Sequence, residues 1–311
     1  MSDLKLFRLI HGTATELPSA SVALEKSLQT VIEDNMETLF GVRLLQSEFS
    51  TGPRHGGRMD SIGIDENSSP VIFEYKRAVN ESVINQGLFY LDWLMDHRGD
   101  FQVLVHDRLG PDAAAAIDWR NPRLICVASG FTKYDEHAVQ QINRSIDLVR
   151  YRDFSGELLA LELVHSSRID ATSSTGAPDA VAPSMTPPGG SQTYKTVTEY
   201  LEQSPPDLRD LYLELDAYAA ALGDDVTQKT LKYYVAYRRL KNFLCVEVLS
   251  RSRELALYVK VDPDTVDLVE GFTRDVRQVG HYGTGDLEIR VRNAADLARA
   301  QPLIHLSYEA S

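Results

Sequence analysis

Asp60, Glu74 and Lys76 stand close together in the stretch GRMDSIGIDENSSPVIFEYKR, and Gln86 and Tyr90 follow shortly in INQGLFY. Hydrolysis of a phosphodiester needs a hard divalent cation held by oxygen ligands, so that charge on the scissile phosphate is neutralised. In an extended VIFEYKR, successive side chains alternate, which puts Glu74 and Lys76 on one face and sends Tyr75 to the other. If the segment before it pairs with it as a hairpin, Asp60 reaches the same ion, and the Tyr75 carbonyl becomes a third ligand. A lysine beside such a site can position or deprotonate the attacking water or stabilise developing charge, and the sequence leaves open which. Arg58 precedes Asp60 by two residues, shares its side of the strand and is placed to meet a phosphate. Gln86 and Tyr90, at i and i+4, share one helical face.

The positioning elements follow from pattern. A helix is expected over about 20–40, with Leu24, Leu28, Val31, Asn35 and Leu39 on one face, and VRLLQSEF reads as a strand after Gly41. GRMDSIGID and PVIFEYKR form two further strands joined by the turn-rich DENSSP. Helices are expected over 80–97 and 111–118, then a strand in PRLICVAS, a helix in DEHAVQQINRS, and strands in IDLVRYRDF and ELLALELV. Strands alternating with helices predict an α/β domain built on a mixed sheet over residues 1–170. ATSSTGAPDAVAPSMTPPGGSQT, rich in Ser, Thr, Pro, Gly and Ala, reads as a flexible linker over 171–193. Residues 194–311 read as a smaller α+β domain: helices at 196–203 and 207–221, an antiparallel meander of KYYVAYRR, NFLCVEVL and ELALYVKV, a strand in DLEIRV, and a helix from Asn293.

The order G-R-x-D, strand, E-x-K, helix, Q-x3-Y resembles the PD-(D/E)XK nuclease superfamily, in its RecB-like branch. LEKSLQTVIEDN, GRMDSIGID and VIFEYKR resemble more specifically the catalytic domain of the NucS-type mismatch endonucleases. The resemblance covers about residues 20–95 well and the rest of the first domain loosely. It implies a restriction-endonuclease-like mixed sheet flanked by helices and a DNA endonuclease using Mg2+ or Mn2+. It matches Asp60, Glu74 and Lys76 to the core triad, Gln86 and Tyr90 to the helix motif, and Glu25 to an additional acid. Glu33 points away from that helix face and is the poorer candidate. Met59 stands where the superfamily name has proline. YVAYRR and GHYGTGDLEIRV resemble a small bacterial domain of uncharacterised function that recurs at the C-terminus of such nuclease-like proteins.

The 311 residues carry a net charge of −13, with 17 Lys and Arg against 25 Asp and Glu up to Asp170 and 15 against 20 beyond it. A chain this acidic does not coat nucleic acid by bulk electrostatics, so DNA contact falls to local patches. Candidates are Arg54, His55, Arg58 and Arg77 beside the site, and Arg238, Arg239 and Lys241 in the second domain. Tyr233, Tyr234 and Tyr237 could stack bases there, although the alternation of Tyr233, Val235 and Tyr237 favours a core face. No apolar run has the length of a membrane span and the N-terminus lacks a secretory signal core, so a cytoplasmic protein is expected. Cys126 and Cys245 sit in apolar strands and read as buried reduced thiols. The glycines of GHYGTGD read as a turn, since they lack the phosphate-loop pattern. Asp118 and Arg123 read as structural. A homodimer, and a protein partner held by the second domain, are compatible with the sequence. The alternative to an enzyme is a non-cleaving nucleic-acid or protein interaction module on a nuclease fold.

Overall fold

The computed structural model describes residues 4–18, 25–53, 55–76, 82–154, 156–167 and 196–311. The chain separates into two compact units, residues 1–168 and 169–311. The linker expected over 171–193 lies outside the described residues, as do Arg54 and Arg77.

The first unit opens with a hairpin, β1 (Leu6–Ile10) and β2 (Thr13–Leu17). The single helix expected next is two helices, α1 (Glu25–Asp34) and α2 (Met36–Phe40). Asn35 interrupts it: its backbone leaves the helical region and its side-chain amide donates to the Val31 carbonyl at 2.8 Å, a local bond that competes with helix propagation. The buried stripe is Leu28, Ile32, Met36 and Phe40, whereas Val31 is 48% exposed and Asn35 is exposed. Leu24 lies outside the described residues, and with Val31 and Asn35 exposed the anticipated face is misphased relative to this stripe.

There follow β3 (Val42–Ser50), β4 (Arg58–Asp65) and β5 (Pro70–Lys76). Helix α3 (Ser82–Asp96) leads into α4 (Arg98–Leu109) and the short α5 (Pro111–Ala115). The unit closes with β6 (Arg123–Ala128), α6 (Lys133–Gln140), β7 (Ser145–Phe154) and β8 (Leu158–Ser166). One six-stranded sheet runs in the order β3-β4-β5-β6-β7-β8. The pairs β5/β6 and β6/β7 are parallel and the other pairs antiparallel, so the sheet is mixed.

Strand β5 shows why VIFEYK is so apolar: it lies inside the sheet and is covered on both faces. On one face Phe73 meets Phe40 edge-on at 5.1 Å. On the other, Ile72, Leu124, Ile146 and Leu148 form a core with Val83, Leu91 and Leu94 of α3 and with Phe101 and Val105 of α4. At the far end of the strands, Arg123, only 2% exposed, bonds Asp147 at 2.7 Å and Asp65 at 3.3 Å. Asp118 bonds Arg120. Both Asp118 and Arg123 thus have structural partners.

The second unit contains α7 (Val197–Glu202), α8 (Pro206–Ala220), β9 (Thr227–Thr230), β10 (Val235–Arg238), β11 (Asn242–Leu249) and β12 (Glu254–Val259). It ends with β13 (Thr273–Asp275), β14 (Leu287–Val291) and α9 (Ala294–Glu309), capped by Asn293. Its sheet is antiparallel, in the order β13-β14-β12-β11-β10-β9, with β9 and β13 added to the strands expected. Leu208, Leu215, Val246, Leu257, Ile289, Leu297 and Ile304 form the core between helices and sheet. On the opposite face the glycine loop lies back over the strands: His281 stacks on Tyr258 at 4.3 Å and Tyr282 on Tyr233 at 4.4 Å. A Cβ on Gly283, whose φ is +83°, would stand 2.6 Å from Cys245 Cβ. Among the described residues no helix is long and apolar enough to cross a membrane.

Candidate functional site

The last registered pair between β4 and β5 towards the site is Ser61 with Phe73. One step beyond it Asp60 stands opposite Glu74, and side chains join the two strands there. Asp60 Oδ2 accepts the Tyr75 N–H at 2.9 Å, and Glu74 Oε1 accepts the Asp60 N–H at 3.3 Å. Each acid therefore holds the backbone of the strand that carries the other. Glu74 is fully buried, while Asp60 and Lys76 are partly exposed.

Lys76 continues β5 two residues beyond Glu74 and on its face, as the alternation predicts. Across the parallel ladder Glu74 faces Cys126 and Lys76 faces Ala128. Burial pushes the Cys126 thiol far above the ordinary range, and the Glu74 charge pushes it further while Lys76 pulls it back. Tyr75 turns to the opposite face, where it stacks on Phe73 and its hydroxyl lies 3.1 Å from Ser61 Oγ. Burial holds that phenol well above its usual pKa. Since the N–H and C=O of one strand residue point to the same side, the Tyr75 carbonyl looks towards β4 with its N–H.

Helix α3 delivers Gln86 and Tyr90. Gln86 Nε2 donates to the Tyr90 hydroxyl at 3.3 Å, and that hydroxyl also accepts the Arg58 N–H at 3.1 Å. Tyr90 is 6% exposed, and its ring occupies the space a side chain at position 57 would need: a Cβ on Gly57 would lie 2.6 Å from Tyr90 Cε1. The i, i+4 pair is thus tied to the first residue of the strand that bears Asp60.

The basic candidates are placed differently. The Arg58 guanidinium pairs with Glu48 at 3.2 Å and remains largely exposed. Glu48 in turn is held below the ordinary carboxylate range, first by its hydrogen bond from Lys26 and then by the Arg58 charge. His55 is exposed and packs edge-on against His97 at 5.2 Å, at the junction of α3 and α4. Glu25 opens α1, and its side chain lies outside the described residues. In the second unit Val235 and Tyr237 enter the core. Tyr233 and Tyr234 pack on the opposite face instead, so the run is split between two faces. Arg238 is 5% exposed and donates to Thr227 Oγ1, while Arg239 bonds Asp225 at 2.7 Å. Tyr237, Arg238 and Arg239 of this run thus have partners within the fold.

Gln29 and Ser61 adjoin the site from the α1 side and were not among the residues expected there, and Glu33, expected to point away from the helix face, instead turns to the sheet and accepts from Gln29 and Ser61. Gln29 Nε2 donates to the Asp60 carbonyl at 2.8 Å. The signal for Gln29 was a polar residue beside Leu28 and Ile32 on the buried stripe, obscured by the misphased helix face.

Residues 197–311 match the family described as a domain of unknown function (DUF5655). The chain is similar to an uncharacterized protein of Haemophilus influenzae, at 25% identity over 308 residues, 97% of this chain and 98% of that one. Among solved structures it is similar to that of an EndoMS–dsDNA2 complex, at 19% identity and a TM-score of 0.28, covering 42% of this chain and 47% of that chain. It is similar also to a repair endonuclease from Pyrococcus abyssi, at 20% identity and a TM-score of 0.28, over 43% of this chain and 50% of that chain. The chain thus spans about half the length of the solved structures it matches.

Two carboxylates and a backbone carbonyl make an all-oxygen donor set, which suits Mg2+ or Mn2+, ions that take one or two protein carboxylates and keep several waters. Among the described residues no group of three or more His, Cys, Asp or Glu side chains could hold a metal. The donor set fits an ion that relies on water and substrate for its remaining ligands.

Proposed function

We propose that the first unit is a divalent-metal-dependent endonuclease that hydrolyses phosphodiester bonds of DNA, in repair, restriction or defence. The observation that carries the reading is the mutual capture of Asp60 and Glu74 across β4 and β5, with Lys76 on the same face of β5. Asp60, Glu74 and the Tyr75 carbonyl would hold Mg2+ or Mn2+. When bound, the ion supplies Lewis-acid neutralisation of the scissile phosphate. Lys76 provides a fixed positive charge where negative charge develops on the phosphate, and its ammonium orients the attacking water. Tyr90 and Gln86 fix the start of β4 and so the direction in which Asp60 points. Arg58 is available to a phosphate at small cost, because solvent screens an exposed ion pair such as Arg58–Glu48.

A test is incubation of the full chain with plasmid, single-stranded and mismatched duplex DNA in Mg2+ or Mn2+. The reading expects cleavage by the wild type and its loss in Asp60→Asn and Lys76→Ala. No cleavage across that panel, or full activity in either variant, would sink it. A non-cleaving interaction module is the second reading, favoured by the net charge of −13, which disfavours binding of nucleic acid by bulk electrostatics. It expects neither cleavage nor Asp60-dependent metal uptake.

A further inference from the structure

Helix α1 places an amide where a helix packed on a sheet ordinarily presents an apolar side chain. Gln29 is 5% exposed and is followed along the buried stripe by Ile32. Burying an amide among apolar groups is unfavourable unless its hydrogen bonds are made. Here they are: Nε2 donates to the Asp60 carbonyl at 2.8 Å and to Glu33 Oε1 at 2.8 Å, with Ser47 Oγ at 3.1 Å. The orientation of the amide is fixed by Lys26, whose ammonium donates to Gln29 Oε1 at 3.3 Å, since only the oxygen end can accept.

The bonds continue beneath the sheet. Glu33 Oε1 accepts the Ser61 hydroxyl at 2.6 Å. That uses the one proton Ser61 has, so Ser61 Oγ is the acceptor of the Tyr75 hydroxyl at 3.1 Å. An unbroken chain of hydrogen bonds therefore runs from the Asp60 carbonyl through Gln29, Glu33 and Ser61 to Tyr75. It grips β4 and β5 from the face opposite Glu74, at the two residues that meet where the strands are joined by their acids. Asp60 needs such support. Between the pairs Ser47 with Ser61 and Phe49 with Met59, the residue facing it on β3 is Glu48, held at a left-handed φ of 51°. Such a conformation in a non-glycine residue is costly and persists only where its surroundings enforce it. Lys26, the partner of Gln29, supplies part of those surroundings by bonding Glu48 at 2.7 Å.

We propose that Gln29 and Glu33 are positioning residues that hold the Asp60 and Tyr75 peptide units at the separation a hard divalent cation requires. The inference rests on the metal-dependent reading of the site. Removing an outer partner of a metal ligand typically weakens metal binding by about 10–100-fold.

The test is calorimetric titration of the full chain with Mn2+ alone, comparing wild type with Gln29→Leu, Glu33→Ala and Asp60→Asn. Gln29→Leu keeps bulk in the helix–sheet contact, and Glu33→Ala alters a half-buried position, so the second variant stands in if the first does not fold. Tryptophan fluorescence checks folding at the titration temperature. Both variants should bind Mn2+ about 10–100-fold more weakly while folded, whereas a purely structural role would lower the unfolding midpoint and leave the affinity unchanged. If Asp60→Asn loses binding but a folded Gln29→Leu or Glu33→Ala binds within about 3-fold of wild type, this inference falls and the metal reading stands. A wild type that takes up no Mn2+, or an Asp60→Asn that binds as tightly, overturns both.

Discussion

Gly57→Ala places a methyl group where the Tyr90 ring already is, and the cost follows from the geometry. The new Cβ would stand 2.6 Å from Tyr90 Cε1 and 3.1 Å from Thr51 Oγ1. Restoring an ordinary carbon–carbon separation requires a shift of about 1 Å. Tyr90 has little room for it, being 6% exposed and bonded through its hydroxyl to Gln86 and the Arg58 N–H. Thr51 is held too, since its Oγ1 accepts the Gly57 N–H at 2.9 Å. Overpacking of this kind costs about 1–3 kcal/mol. Stretching the Arg58–Tyr90 bond adds about 1 kcal/mol, giving roughly 2–4 kcal/mol in all. Both tryptophans, Trp93 and Trp119, belong to the first unit, so their fluorescence in a urea titration follows that unit alone. At a slope of about 2–3 kcal/mol/M, the midpoint should fall by roughly 1 M. The decisive comparison is with Tyr90→Leu, which lacks the atoms that clash. In that background Gly57→Ala should cost less than about 1 kcal/mol, because contacting residues couple. Equal costs in the two backgrounds would refute the claim that Tyr90 is what keeps position 57 a glycine.

Arg123→Met should destabilise the first unit by about 3–5 kcal/mol by the same fluorescence assay, because Asp65 and Asp147 would keep buried charge without their cation; a loss under 1 kcal/mol would show that the triad is dispensable. Asp60→Ala leaves the Tyr75 N–H without the acceptor that Asp60→Asn can still offer, so it should cost about 1–3 kcal/mol more than the asparagine variant in urea unfolding. Cys126 and Cys245 are both buried and burial pushes the Cys126 thiol up, so the native chain should give almost no reaction with a thiol reagent at pH 8 and two equivalents in guanidinium. Burial raises the Glu247 carboxyl above its usual pKa, against an opposing bond from the Tyr282 N–H. A raised carboxyl pKa means that the folded state binds protons more tightly than the unfolded one. Its stabilising contribution is therefore present below the unfolded pKa near 4.3 and lost as pH rises through the folded value. Hydrogen exchange of peptides spanning residues 242–291 should show a fall in protection above pH 4.3, and Glu247→Gln should flatten it.

The alternation of VIFEYK determined which side chains share a face, and the structure has Glu74 over one core and Tyr75 over the other. The α/β and α+β classes were legible for the same reason: strands and helices with strong periods settle their own type. Helix α4 was not legible, because of its residues only Phe101 and Val105 are buried and most of its surface is polar. Strands β9 and β13 are four and three residues long, too short to carry a period. The glycine loop of the second unit was legible as a turn, but its fold back onto Tyr233, Cys245 and Tyr258 depends on partners about 20–50 residues away, which no local pattern encodes. Gln29 was missed for a related reason. A buried glutamine is informative only once the buried face is known, and Asn35 ends α1 through a bond to Val31 that periodicity does not register.

The two faces of β4 and β5 are held by different kinds of bond. On the α3 face, Asp60 and Glu74 each accept a backbone N–H of the other strand, so the same oxygens that would bind an ion already serve as links in the fold. If those links alone set the geometry, an ion drawing on the carboxylates would loosen the strands it depends on. The α1 face removes that difficulty. Gln29 binds the Asp60 carbonyl and Glu33 binds Ser61, neither through an oxygen of Asp60 or Glu74 that faces the candidate site. The backbone is therefore fixed by a set of bonds separate from those carboxylate oxygens, so that, on the proposed reading, the carboxylates would exchange a backbone N–H for a cation while the strands stay in place. Preorganisation of this kind needs a polar layer behind the sheet, and it explains why an otherwise apolar helix face buries Gln29 next to Leu28.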